Sequence, residues 1–202
     1  MLDALAQSFA GPGAPFLYAI TALLALALAV SVERSMLFFL AWRGDPQAAL
    51  AAMRSGDARR AQDLMGRHPA AELIAAGAAQ PAAEAAWDAM GAQAALAEEQ
   101  IMRRLPWLAT AGNLATMLGL LGTVFGLILA FEGLGDGSAV ERATRIGEGI
   151  ATAMTTTAWG LITGIPALGV HALLDGRARR ELALCEALAG LLALSKRTQV
   201  SG

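Results

Sequence analysis

Charge is what this chain is short of. Asp, Glu, Lys and Arg make up 16% of its 202 residues against 56% hydrophobic ones, and the mean hydropathy is +0.51. Residues 4–32, 105–131 and 149–174 carry none of the four, over lengths that suffice to cross a bilayer. That excludes an ordinary soluble domain and indicates a membrane protein. The one cysteine, Cys185, precludes an internal disulfide, and the two histidines, His68 and His171, lie too far apart in sequence to suggest a metal site. A net charge of −2 leaves no basic surface on the scale nucleic acid requires. The first 15 residues hold only Asp3 among charges and lack the positive region of a cleaved secretory signal. No serine, cysteine or carboxylate has a plausible base beside it and no acid pair sits at membrane depth, so no catalytic residue, cofactor or enzyme activity is expected.

What is present is an all-α integral membrane pattern, read as three transmembrane helices with long cytoplasmic helical extensions. A lead-in at 1–15 precedes a first span at 16–42, rich in Leu, Ala, Val and Phe, whose far end carries Glu33, Arg34 and the interfacial pair Trp42–Arg43. Residues 43–104 form a helical domain. Asp45–Pro46 and Asp57 read as helix starts for two short helices, 46–54 and 58–67, and Pro69 and Pro81 punctuate the stretch beyond them. The Ala- and Glu-rich run from about residue 82 favours helix and is expected to continue straight into the membrane, with a bend at Pro106.

The second span, 105–131, is small on one side and large on the other. At 100° per residue, Gly112, Ala115, Thr116, Gly119, Gly122, Thr123 and Gly126 share one sector. Small residues let backbones approach closely in lipid, so these glycines predict helix packing. The link 132–148 contains GLGDGS, which has neither dinucleotide nor phosphate-loop spacing and reads as a turn, with Asp136 or Ser138 capping the next helix.

The third span, 149–174, has five threonines in the stretch GIATAMTTTAWGLITGIP at 149–166. Thr152, Thr156 and Thr163 fall in one narrow sector, whereas Thr157 lies with Ala153, Gly160, Gly164, Ala167 and His171 on a small-residue stripe. Pro166 marks a place where the backbone ladder is interrupted. The tail, 175–202, opens with Arg177, Arg179 and Arg180. Most basic residues fall in 43–104 and the tail, whereas the link has only Arg142 and Arg145, so the positive-inside rule places the N-terminus outside and the C-terminus inside.

Gly119-Leu-Leu-Gly-Thr-Val-Phe-Gly126 followed by Phe131 resembles the second-span signature of the MotA/TolQ/ExbB proton-channel family. The run Gly149 to Pro166 is similar to its third-span signature, and the three-span order is similar to the ExbB/TolQ branch. The resemblance implies a multi-pass subunit of the bacterial inner membrane that converts proton-motive force into work for outer-membrane transport or envelope processes. It implies a homopentamer around a dimeric, single-span ExbD/TolR-like partner carrying a membrane aspartate, acting with a TonB/TolA-like protein. It implies that Thr123 and Thr157 are pore threonines. Thr152 stands where ExbB and TolQ usually have glutamate, and Thr152 and Thr156 are further candidates for the ion path. The alternatives are a flagellar-type stator using H+ or Na+, and a non-conducting membrane scaffold.

Overall fold

A computed structural model describes residues 8–42, 44–135 and 138–200, with 199 and 200 described by backbone alone. Among the described residues there is no strand. The helices are α1 (Ala14–Met36), running into a wider turn at Leu37–Ala41, α2 (Pro46–Arg54), α3 (Ala58–Met65), α4 (Pro69–Ala78), α5 (Ala83–Met102), α6 (Leu105–Glu132) and α7 (Ala139–Val200). Three stretches, Ala14–Ala41, Ala83–Glu132 and Ala139–Thr198, are long and apolar enough to cross a membrane.

The helix starts follow from side-chain chemistry. Asp45 and Asp57 each accept a hydrogen bond from a backbone N–H in the first turn they precede, Ala48 and Arg60, both at 3.0 Å. Ser138 and Glu141 form a reciprocal capping box: Ser138 N–H donates to Glu141 Oε2 at 2.9 Å and Glu141 N–H donates to Ser138 Oγ at 3.3 Å. The expected alternative cap, Asp136, and the anchor Arg43 lie outside the described residues. Because Ser138 is the cap, α7 begins ten residues before the expected third span, and it runs without a break through Pro166 into the tail.

The helix break before the second span is at Arg103–Arg104, not at Pro106. Arg104 sits in the left-handed region with φ 66° and its guanidinium pairs with Glu33. Pro106 is the second residue of α6, where no intrahelical N–H is needed.

The chain forms two compact units, residues 1–31 with 106–172 and residues 32–105 with 173–202. The first holds the α6–α7 pair. Three glycines of α6 meet three of α7 in antiparallel order: Gly112 against Gly164, Gly119 against Gly160 and Gly126 against Gly149. A Cβ on Gly160 would lie 2.7 Å from Ala115 O and 2.9 Å from Gly119 Cα, so the backbones touch with no room for a side chain. The second unit has its own core, with Met53, Met65, Leu73, Ile74, Met90 and Ile101 each at most 2% exposed. Lys196 Nζ closes it by donating to the Gln80 carbonyl and, at 3.3 Å, to the Ala78 carbonyl at the end of α4.

Candidate functional site

The α6–α7 contact determines where the threonines point. Thr157 is one residue past the fully buried Thr156, and its half-buried hydroxyl crosses the interface to donate to the Gly119 carbonyl at 3.1 Å. The close approach of Gly119 to Gly160 makes that reach possible. Thr123, one turn along α6 from Gly119, donates instead to the Leu120 carbonyl of its own helix. Thr123 and Thr157 line one open groove of about 510 Å³, walled by Leu127, Ile150, Met154 and Leu161. Among the described residues, none that lines it is ionisable. The groove can therefore offer hydroxyls and backbone carbonyls to water or to a carboxyl, and it has no carrier of its own.

Thr152 and Thr156 are elsewhere. They line a separate hollow of about 520 Å³ with Ser8, Thr155 and Glu148. Thr156 is 1% exposed, donates to the Thr152 carbonyl at 3.0 Å, and fills the space over Gly122. Thr163, also 1% exposed, has a buried hydroxyl with no partner among the described residues, three residues before Pro166. The structure thus brings together Thr123 and Thr157, and separately Thr152 and Thr156. Among the expected packing residues, Gly112, Gly119, Gly122, Gly126, Gly160 and Gly164 all lie against the opposing helix, whereas Pro166 is exposed. Gly149 is a packing position beyond those expected. Its signal is the seven-residue spacing of Gly112, Gly119 and Gly126, which demands a small partner at each crossing.

Trp159 ties α7 to α1. Its Nε1 donates to Thr21 Oγ1 at 3.0 Å, and its ring meets Phe9 edge-on at 6.0 Å. Trp159→Phe and Thr21→Val are each expected to lower stability by about 0.5–1.5 kcal/mol. A double-mutant cycle read by thermal unfolding should show the double variant losing less than the sum of the two single losses, by on the order of 0.6 kcal/mol in a bilayer.

The sequence profile of the MotA/TolQ/ExbB proton channel family matches residues 62–187, more than half the chain. This chain belongs to that family. TolQ, the Tol-Pal system protein of Pseudomonas aeruginosa, is 42% identical over 73 residues, 35% of this chain and 30% of that protein. The biopolymer transport protein ExbB of Aquifex aeolicus is 36% identical over 93 residues, 46% of this chain and 62% of the relative. The chain thus matches less than two thirds of the length of either relative. The C. jejuni MotAB structure matches 92% of this chain and 76% of its own, with a TM-score of 0.54 and 18% identity, a likeness of fold. The paired signatures around Thr123 and Thr157 both fall inside the family match.

Proposed function

We propose that this chain is the channel-forming subunit of a proton-motive-force-driven motor in the bacterial inner membrane, with the Thr123–Thr157 groove as the wall along which a partner's carboxyl exchanges its proton. The observation that carries this reading is the groove: two hydroxyls on a close-packed helix pair, among apolar walls, with no ionisable group among the described residues that line it. A proton crossing a bilayer needs a titratable carrier or a hydrated path. The carrier is then supplied by a second chain, an ExbD/TolR-like single-span helix with a membrane aspartate, surrounded by several copies of this one. Hydroxyls suit the role because they accept from a carboxylic acid and, on turning away from the Gly119 and Leu120 carbonyls, donate to a carboxylate. Alternate charging of the aspartate shifts its preference between wet and dry surroundings, which moves one chain against the other.

The basic residues of 43–104 and the tail support a topology with the helical unit on the cytoplasmic side and the N-terminus outside. A scaffold in which threonines only bind helices together explains Thr157 but not Thr123, whose hydroxyl stays on its own helix. The test is proton flux into proteoliposomes that hold this chain co-expressed with an ExbD/TolR-like partner. Flux is expected with the wild-type partner and is lost when the partner's membrane aspartate becomes asparagine. Flux from this chain alone contradicts the reading.

A further inference from the structure

In the unit formed by residues 32–105 and 173–202, a buried histidine occupies a position that has no part in the groove. His68 is 2% exposed and precedes α4 as its cap, its Nδ1 accepting from Ala70 N–H at 3.0 Å. An accepting Nδ1 bears no proton, so this partner assigns the ring proton to Nε2. Nε2 lies 3.4 Å from Glu181 Oε2 on α7. The other carboxylate oxygen, Oε1, pairs with Arg177 Nε at 2.9 Å, and that guanidinium lies over the Phe39 ring at 5.5 Å. From the end of the first span, Phe38 and Trp42 bring only rings, Trp42 edge-on to the imidazole at 5.3 Å. The ionisable neighbours in sequence, Arg67 and Glu72, are exposed.

We propose that His68 is a proton-binding site that latches α4, releasing the helix's first turn when the ring takes up a second proton. The incoming proton must go to Nδ1, which faces Ala70 N–H. Two donors would then oppose each other at 3.0 Å, and a cation would sit at a helix N-terminus, where the dipole disfavours it. The imidazolium gains instead a full ion pair with Glu181, whose carboxyl the His68 contact, and with it the Arg177 guanidinium, holds below the usual carboxylate range. Glu181, 13% exposed, gives solvent protons access. Both effects draw the ring away from the cap and toward α7. The first turn of α4 carries Ala70 and Ala71 into the core and leads directly into the buried Leu73 and Ile74, so its release loosens the packing of the unit. The site stands independently of the ion-path reading, because none of its groups lines the groove.

The experiment is hydrogen exchange of the amides of residues 70–74 in the full chain in detergent micelles, at about pH 7.5 and about pH 5.5. Wild type is compared at each pH with His68→Asn, which keeps a cap oxygen but cannot titrate. Wild-type protection relative to His68→Asn is expected to fall at least about tenfold on acidification. Glu181→Gln should move that fall to lower pH. A ratio that stays constant or rises on acidification overturns the proposal. An imidazole NMR signal of His68 in the wild-type chain that keeps the neutral Nε2–H form down to about pH 5 also overturns it, whatever the fate of the variant.

Discussion

Gly126→Val is expected to remove the folded α6–α7 pair, leaving little assembled protein in the membrane. A Cβ at this position would lie 2.5 Å from Ala153 N and 2.6 Å from Gly149 O, both backbone atoms of the facing helix. No rotamer change can relieve such a contact, so the helices must part. Overpacking a side chain into a filled core costs about 1–3 kcal/mol. Here the separation would also strain the neighbouring crossings at Gly119–Gly160 and Gly112–Gly164, since all three lie between the same two helices. Gly126→Ala should already lower the thermal midpoint clearly. Gly169→Ala, at a helical glycine with nothing within 4 Å, should leave it unchanged or slightly raised. Equal midpoints for Gly126→Ala and Gly169→Ala would contradict the packed interface.

That interface is readable from composition, because only small residues at helical spacing allow two backbones to touch in lipid. The caps at Asp45, Asp57 and Ser138 are readable for a similar reason: a short acceptor before a helical run has a local role. The break at Arg103–Arg104 is not. Local preference disfavours an arginine with positive φ, and the observed conformation accompanies an ion pair to Glu33, 71 residues away in sequence. Local signals therefore point to Pro106 for the bend, yet that proline sits comfortably in a first turn. The unbroken length of α7 is hidden because its polar ends resemble link and tail, while helical hydrogen bonding runs on through them.

The threonines divide in the same way. Helical projection separates Thr157 from Thr152, Thr156 and Thr163 by angle, but it does not say which angle faces a groove and which faces a neighbour. Thr156 looks equivalent to Thr152 in sequence and is buried over Gly122 in three dimensions. Thr123 and Thr157, one on each helix, come together only because the glycine crossings fix the register of the two helices. His68 gives no sequence signal, since a lone histidine before Pro69 carries no hint that Glu181, 113 residues later, approaches it.

Thr157→Val is expected to leave the assembly standing and to stop most of the proton traffic. The change keeps the shape and removes one hydroxyl donor. Gly119 O lies within α6 and remains available to the helical ladder, so the stability cost stays near the value of about 0.6 kcal/mol typical of interhelical hydrogen bonds in bilayers. The effect on transfer is larger. If the hydroxyl contributes one hydrogen bond worth about 1.4 kcal/mol at the barrier, its loss slows flux about tenfold. Thr157→Ser should retain flux, because the donor is kept. Thr110→Val, whose hydroxyl reaches the Pro106 carbonyl of its own helix and does not line the groove, should behave as wild type.

The decisive measurement is the initial rate of proton flux per assembled complex, in proteoliposomes containing the partner, for wild type, Thr157→Val, Thr157→Ser and Thr123→Val. A groove that serves as the proton path predicts a fall of about tenfold or more for both valine variants, with near-normal flux for the serine. Wild-type flux in both valine variants, with assembly intact, would contradict it.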